Sequence, residues 1–313
     1  MMPHWLIKSA IQRAISLLPA SQTWNSLFQQ YVTRSLELTE SRFEARLDYC
    51  RLHLEHFLEL QPQRARDFTV LEVGTGWYPV VPVGLYLCGA GDIQTFDIDP
   101  LLQTARLQQM FNRFVEYEGA GALRKFLPRL QPERFARMSQ TRAQNDGLSP
   151  VALLEKLGIH AHVRGAQATG LPAGKTDLFI STGVLEYIPP EILKAILAEF
   201  KRLGSPGAIQ SHYLNLVDQY SYFDSSITPF NFLQYPGSRW KYLNSPLTWQ
   251  NRMRISDFRQ VFTQAGYQVT KEANTSGALE DLRKIRLAPE FQHHSVEDLL
   301  VLTSWLVAKA CGT

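Results

Sequence analysis

The sequence is short of cysteine, of net charge and of long apolar runs, and each shortage removes a class of protein. Its 313 residues include three cysteines, Cys50, Cys88 and Cys311. An odd, scattered set neither staples a small secreted domain nor gives the spacing of a zinc site. It fits a reduced, cytoplasmic chain. The net charge is +3, with no clustered basic stripe, so no nucleic-acid partner is expected. No repeat or low-complexity stretch is visible. No unbroken apolar run is long enough to span a bilayer. No G-x-x-x-x-G-K-[ST] loop is present, which excludes that mode of nucleotide binding.

The start, MMPHWLIKSAIQRAISLLPA, lacks the small-residue cleavage pattern of a secretory signal. Trp5, Leu6, Ile7, Ile11, Ile15 and Leu18 are interleaved with Lys8 and Arg13, an amphipathic helix. The expectation is a helix packed on the body or capping a site. Residues 1–20 also fit weak contact with a membrane surface.

What is present belongs to a globular chain. Hydrophobic residues make up 45% and charged residues 19%, enough to bury a real core. Residues 1–60 read as a helical cap and 61–313 as the main domain, with insertions at about 115–158 and 214–250. Ser41-Arg42-Phe43-Glu44 has capping-box spacing. Phe43, Leu47, Cys50, Leu54 and Phe57 then recur every three or four residues, the stripe of a one-sided helix.

From Phe68 the period changes. Phe68–Val73, Ile93–Asp97, His160–Gly165, Asp177–Thr182 and Ala208–Tyr213 are short, apolar segments read as strands. Tyr267–Thr270 and Leu300–Ala308 are candidate last strands. Helices alternate with them: Pro190–Leu203 closed by Gly204, and one capped by Ser256 that ends at Gly266. Pro100 suits the first turn of a third. The pattern predicts an α/β fold, a doubly wound, mostly parallel seven-stranded sheet. Ligands of such sheets bind beyond the carboxyl ends of the strands, where strand order reverses.

The segment Leu71-Glu72-Val73-Gly74-Thr75-Gly76 carries most of the functional inference. Its glycines let the backbone turn sharply and approach a ligand. Asp97 follows the turn by about 20 positions, where a carboxylate accepts from ribose hydroxyls. A nucleoside is therefore expected. A dinucleotide turn would place a third glycine where Pro79 stands, and no Lys or Arg is offered to phosphates. The turn suits a nucleoside without phosphates, of which S-adenosylmethionine is the common one.

Four segments in order carry a resemblance: Glu72–Gly76, Thr95–Asp99, Gly170-Leu171-Pro172 with Asp177–Ser181, and Val184–Pro189. Over about residues 66–213, and again in the tail from Asn251, the chain resembles class I S-adenosylmethionine-dependent methyltransferases of the small-molecule type, with their Rossmann-like sheet. The resemblance implies S-adenosylmethionine as cofactor and S-adenosylhomocysteine as product. It implies that Glu72, Gly74, Thr75 and Gly76 hold the methionine portion, Asp97 the ribose and Ile98 the adenine. Thr182 and Gly183 would flank the methyl donor. The chain departs from the family at Tyr78, where a third glycine is common. A second departure is at Gln167, which stands for an acid that meets the adenine amino group. A third is Tyr187, where a histidine is usual.

The acceptor region is expected after the fifth strand. His212 fits a general base by its near-neutral ordinary pKa; it equally fits a satisfied histidine at a strand end. Asp218, Tyr220, Tyr222 and Asp224 fit groups that orient a polar acceptor, with Tyr213 and Tyr187 beside them. Trp77 and Tyr78 fit either core or aromatic faces against the sulfonium. Phe230, Phe232, Tyr235, Trp240, Tyr242 and Trp249 read as a lid over a small or medium organic acceptor. No metal site is expected: His160 and His162 share a strand face, but the adjacent His293 and His294 would diverge. The methyl acceptor atom (O, N or C) is open. So are a non-catalytic scaffold and an enzyme acting on RNA, protein or a lipid-like substrate. Strand four ends Ser181-Thr182-Gly183-Val184, without the Asn/Asp-Pro-Pro-aromatic signature of base N-methylation.

Overall fold

The computed structural model describes residues 4–16, 37–144, 147–245, 247 and 249–311. Helix α1 is His4–Ser16, and α2 is Glu40–Leu60. Leu18 and the rest of residues 17–36, read from the sequence as helical, lie outside the described residues. Helix α2 starts two residues earlier than the capping-box reading. Thr39, not Ser41, is its N-cap, and its Oγ1 accepts from the Arg42 N–H at 3.4 Å. The predicted stripe is buried as expected, Phe43, Leu47, Cys50, Leu54 and Phe57 all lying in the largest core cluster. Helix α2 thus shares the domain's core instead of forming a separate cap.

The strand and helix alternation follows. β1 (Thr69–Val73) leads to α3 (Val80–Leu87), β2 (Asp92–Asp97) and α4 (Thr104–Gly119). Pro100 precedes α4 instead of opening it: the N-cap is Gln103, which is extended. The first insertion is helical, with α5 (Leu123–Phe126), α6 (Pro132–Ala143) and α7 (Pro150–Glu155). Then come β3 (Ile159–Val163), β4 (Thr176–Thr182), α8 (Pro190–Leu203) and β5 (Gly204–Asn215). Gly204 does not close α8 in a left-handed cap; it is extended and opens β5. The second insertion holds short 3₁₀ turns and α9 (Gly237–Leu243), followed by α10 (Ile255–Gln264) and β6 (Tyr267–Ser276). Two short helices, α11 (Leu279–Arg283) and α12 (Val296–Leu300), precede β7 (Val301–Ala310). Ser256 does not cap α10: it lies inside the first turn, bonded to Asp298, while Asp257 accepts from the Arg254 N–H at 2.8 Å.

The strands form one sheet in the order β3-β2-β1-β4-β5-β7-β6. β1 pairs in parallel with β2 and β4, and β7 runs antiparallel to β5 and β6. Chain order reverses between β1 and β4, so the crevice beyond their carboxyl ends is the topological switch point. Two apolar layers hold the sheet. α2, α3 and α4 bury one face with Phe57, Val83 and Phe111; α8 and α10 bury the other with Phe200 and Phe258. A third cluster joins α1 to the second insertion through Trp5, Tyr220, Phe232 and Trp240.

His293 and His294 do not diverge. They sit in a turn, where strand alternation does not apply, with ring centroids 4.0 Å apart. A ligand atom from each lies with one of Asp257 inside 4.8 Å. Among the described residues no helix is long and apolar enough to cross a membrane.

Candidate functional site

The donor side is built mostly by backbone. Gly74 and Gly76 both have positive φ, +91° and +64°, so β1 ends in a turn that side-chain-bearing residues rarely adopt. The Gly74 N–H donates to the Phe96 carbonyl at 2.7 Å. The Gly76 N–H donates to Asp97 Oδ2 at 2.9 Å, and the Asp99 N–H to Oδ1 at 3.1 Å. Each Asp97 oxygen keeps a lone pair for a further donor. Burial pushes the Asp97 pKa up, and these amides oppose the shift. A small open cavity lies beside the turn, lined by Thr75, Gly76, Asp97, Leu101, Val151 and His162 among others. A Cβ on Gly76 would meet only open space.

Ile98 and Gln167 are exposed and do not line this cavity. The Gln167 amide folds back against Gly165. His162 does line it. Its ring stacks on Phe96 at 4.5 Å, and its Nε2 pairs with Gln94 Oε1 at 2.8 Å.

Beneath the turn lies a buried polar floor. Thr95 Oγ1 donates to Glu72 Oε2 at 2.7 Å, which leaves Thr75 as the donor to Thr95 across 2.6 Å. Burial raises the Glu72 pKa to about 8, against the pull of Thr95 and the Arg46 guanidinium. Arg46 comes from α2. It faces Glu72, Tyr49 and Tyr78, burial lowers its pKa, and it makes no ion pair among the described residues. Trp77 has the Arg106 guanidinium 4.2 Å over its ring, so one face already holds a cation. Tyr78 is buried, and its hydroxyl donates to Gln109 at 3.0 Å.

The expected acceptor side is built by side chains from distant segments. Gly183, with φ +65°, turns the chain after β4, and its N–H donates to the Tyr213 carbonyl at 2.8 Å. The Thr182 hydroxyl meets His53 Nε2 at 3.1 Å. His53 Nδ1 and His56 Nδ1 both contact Ser211 Oγ, at 2.9 and 3.0 Å. Burial holds both histidines neutral: His53 falls well below 6.5, and His56 to about 4. Trp305 packs edge-on against both rings. Tyr213 is tilted on Tyr49 with centroids 4.6 Å apart, and the exposed Tyr222 pairs with Asn215 at 3.2 Å.

Glu186 was not among the residues expected from the sequence. It is 2% exposed, and neither carboxyl oxygen has a hydrogen-bond partner. Burial raises its pKa to about 8, opposed by nearby backbone amides of Glu186 and Asn215. It lies beside Gly183 and Tyr187; burial and the Glu186 carboxyl push the Tyr187 pKa well up. The clue was an acid inside the apolar run Val184-Leu185-Glu186-Tyr187-Ile188. Arg46 and His53 offered no such clue, since nothing local to α2 tells which strand ends they reach.

Three expected acceptor groups are structural. His212 is fully buried between Phe200 and Phe262, with Nδ1 on Ser181 Oγ at 2.8 Å and Nε2 on Gln210 Oε1 at 3.0 Å. Burial drops its pKa to about 3, so it is a neutral, satisfied core histidine and no base. Asp218 caps a 3₁₀ turn, accepting from the Tyr220 N–H and the Asn231 amide at 2.9 Å each. The Tyr220 hydroxyl donates to the Leu243 carbonyl at 3.0 Å, and its ring packs on Trp5. Phe230, Phe232 and Trp240 are core of the second insertion rather than open pocket walls; Tyr242 is exposed.

The sequence matches no family model and no curated protein. Among solved structures, the chain is similar to a geranyl diphosphate C-methyltransferase from Streptomyces coelicolor. The identity is 9%, over 82% of this chain and 78% of that one, with a TM-score of 0.45. It is also similar to an S-adenosylmethionine-dependent methyltransferase from Mesorhizobium loti, at 12% identity over 82% and 94%, with a TM-score of 0.43. The strand order with its reversed β7, and the glycine turn at the switch point, give this chain a doubly wound, Rossmann-like fold.

Proposed function

We propose that this chain transfers a methyl group from S-adenosylmethionine to a small or medium organic acceptor by in-line displacement. The observation that carries the reading is the Gly74–Gly76 turn tied to Asp97 beside an open cavity. Asp97 has lone pairs left for ribose hydroxyls, and Leu101 and Val151 supply apolar walls for a flat base. Arg46, half-buried and without an ion-pair partner among the described residues, suits the anionic end of the donor.

S-adenosylmethionine, when bound, supplies a methyl carbon activated by its sulfonium. The chain's own residues position and shield. Gly183 lets the backbone after β4 come close, and the His53 network fixes Thr182 beside it. Holding reactants in line supplies much of such a rate. Glu186, with its pKa raised to about 8, takes a proton from an acceptor that carries one. A small acceptor fits this carboxyl because a bulky one would not reach a group so deeply enclosed.

The test is thermal stability with and without S-adenosylhomocysteine, for the wild type and Asp97→Ala. A ligand at 100 times its dissociation constant adds about 2.7 kcal/mol, on the order of 5 °C here. The quantity compared is the ligand-induced increment, since Asp97→Ala also loses the Gly76 bond. An increment in the wild type alone supports the site. No increment in either, under saturating ligand, overturns it. An increment with no labelled methyl passed to any acceptor would favour a non-catalytic binder.

A further inference from the structure

Helix α1 is folded inside out for a water-facing helix. Its buried row is Trp5, Ser9 and Gln12, with two polar residues inward. Ser9 donates to the Leu243 carbonyl at 2.8 Å, and Arg13 to the Tyr242 carbonyl at 2.9 Å. The opposite row is Ile7, Ala10, Ile11 and Ala14, all exposed. Ile7 is 46% and Ile11 40% exposed. The apolar strip continues onto the second insertion through Phe223 and Tyr242, 45% and 60% exposed. Cations edge it. Lys8 Nζ lies 4.6 Å over the Phe223 ring, and Arg13 and Lys241 lie 5.7 and 4.9 Å from the Tyr242 ring.

Charge is as one-sided as hydropathy. The chain has 29 acidic residues, yet none falls in residues 1–36 or 225–256, the stretches that contain α1 and α9. Asp224, next to Phe223, is buried and accepts from the Trp5 N–H at 3.0 Å, while Glu290 accepts from the Gly237 N–H at the start of α9 and pairs with Arg252.

We infer that this face docks on the surface of an anionic phospholipid bilayer, with α1 lying flat. The Ile7–Ile11 row enters the boundary between headgroups and acyl chains, where apolar helix faces of this kind settle. Phe223 and Tyr242 take the interfacial positions aromatics favour. Lys8, Arg13 and Lys241 meet the headgroup phosphates. A second copy is a poorer occupant, because a two-fold contact would set the cations Lys8, Arg13 and Lys241 against their own copies.

The experiment is flotation of the full chain with vesicles of phosphatidylglycerol mixed with phosphatidylcholine, against phosphatidylcholine alone. Binding to the anionic vesicles that weakens with added salt is expected. Ile7→Glu with Ile11→Glu should lower the bound fraction ~10-fold, and Lys241→Ala about fivefold, near the effect of one basic residue at such a surface. A thermal melt checks that each variant is folded. Should a variant fail that check, salt dependence and the wild-type preference for anionic vesicles still decide. The inference is overturned if the wild type ignores anionic vesicles at low salt, or if the folded double variant binds equally well. It is overturned too if light scattering shows a dimer that Ile11→Glu dissociates.

Discussion

The two halves of the cleft are made by different means. On the expected donor side the key groups are mostly backbone amides, glycines and the Asp97 carboxylate from two adjacent strands, β1 and β2, with Arg46 the one side chain reaching in from α2. On the expected acceptor side they are side chains, His53 from α2, resting on Ser211 of β5, and Glu186 from the turn after β4. A site made of backbone is set chiefly by its own segment. A site made of converging side chains is the reverse.

The sharpest way to break this contrast is Gly74→Ala. The change forces positive φ on an alanine, and its methyl collides with Val184 of the turn after β4. We expect a loss of ~3 kcal/mol or more in stability, combining backbone strain with overpacking, and no detectable ligand increment. Circular-dichroism melts with S-adenosylhomocysteine measure both. A variant that binds normally would show that the turn is not the donor cradle.

Glu186→Gln probes the other side with almost no change of shape. We expect kcat to fall ~100-fold for an acceptor that must lose a proton, with little change in the cofactor increment. The pH–rate profile is the diagnostic. A base with a pKa of about 8 makes the rate rise through that pH, and the variant should lose the rise. An unaltered profile would remove Glu186 from proton transfer and leave it a buried structural acid.

The smallest expected effect is in stability against pH, and here the groups pull in opposite directions. The unfolded chain takes up histidine protons near 6.5, whereas folded His56 resists to about 4 and His212 to about 3. Their contribution is full above about 6.5 and falls as pH drops through that window. Folded Glu72 and Glu186 keep protons to about 8 that the unfolded chain releases near 4.5. Their contribution is full below 4.5 and is lost as pH rises toward 8. Melting temperatures from pH 4 to 9 should therefore fall at both ends, and Glu186→Gln should flatten the alkaline fall.

The same contrast explains what could be read from the sequence. The strands, their order of use and the Gly74–Gly76–Asp97 set were legible because each depends on neighbours a few residues away or on one short repeat of period. His212 misled because its residue type suits a base, while its burial is decided by Phe200 and Phe262, far along the chain. Asp218 and Tyr220 misled likewise: their hydrogen bonds go to Asn231 and Leu243 within the insertion. Arg46 and His53 were invisible because a helix stripe says which face is buried and not what it meets.

The reach of His53 also bears on how the chain is made. Its two partners, Thr182 and Ser211, lie 129 and 158 residues further on. At ordinary synthesis speeds the ribosome needs roughly ten seconds or more to supply them. Until then the apolar face of α2 can settle on α3, but two imidazoles must stay wet. The helix that is translated among the first is thus fastened among the last, and the acceptor side is finished when β5 arrives.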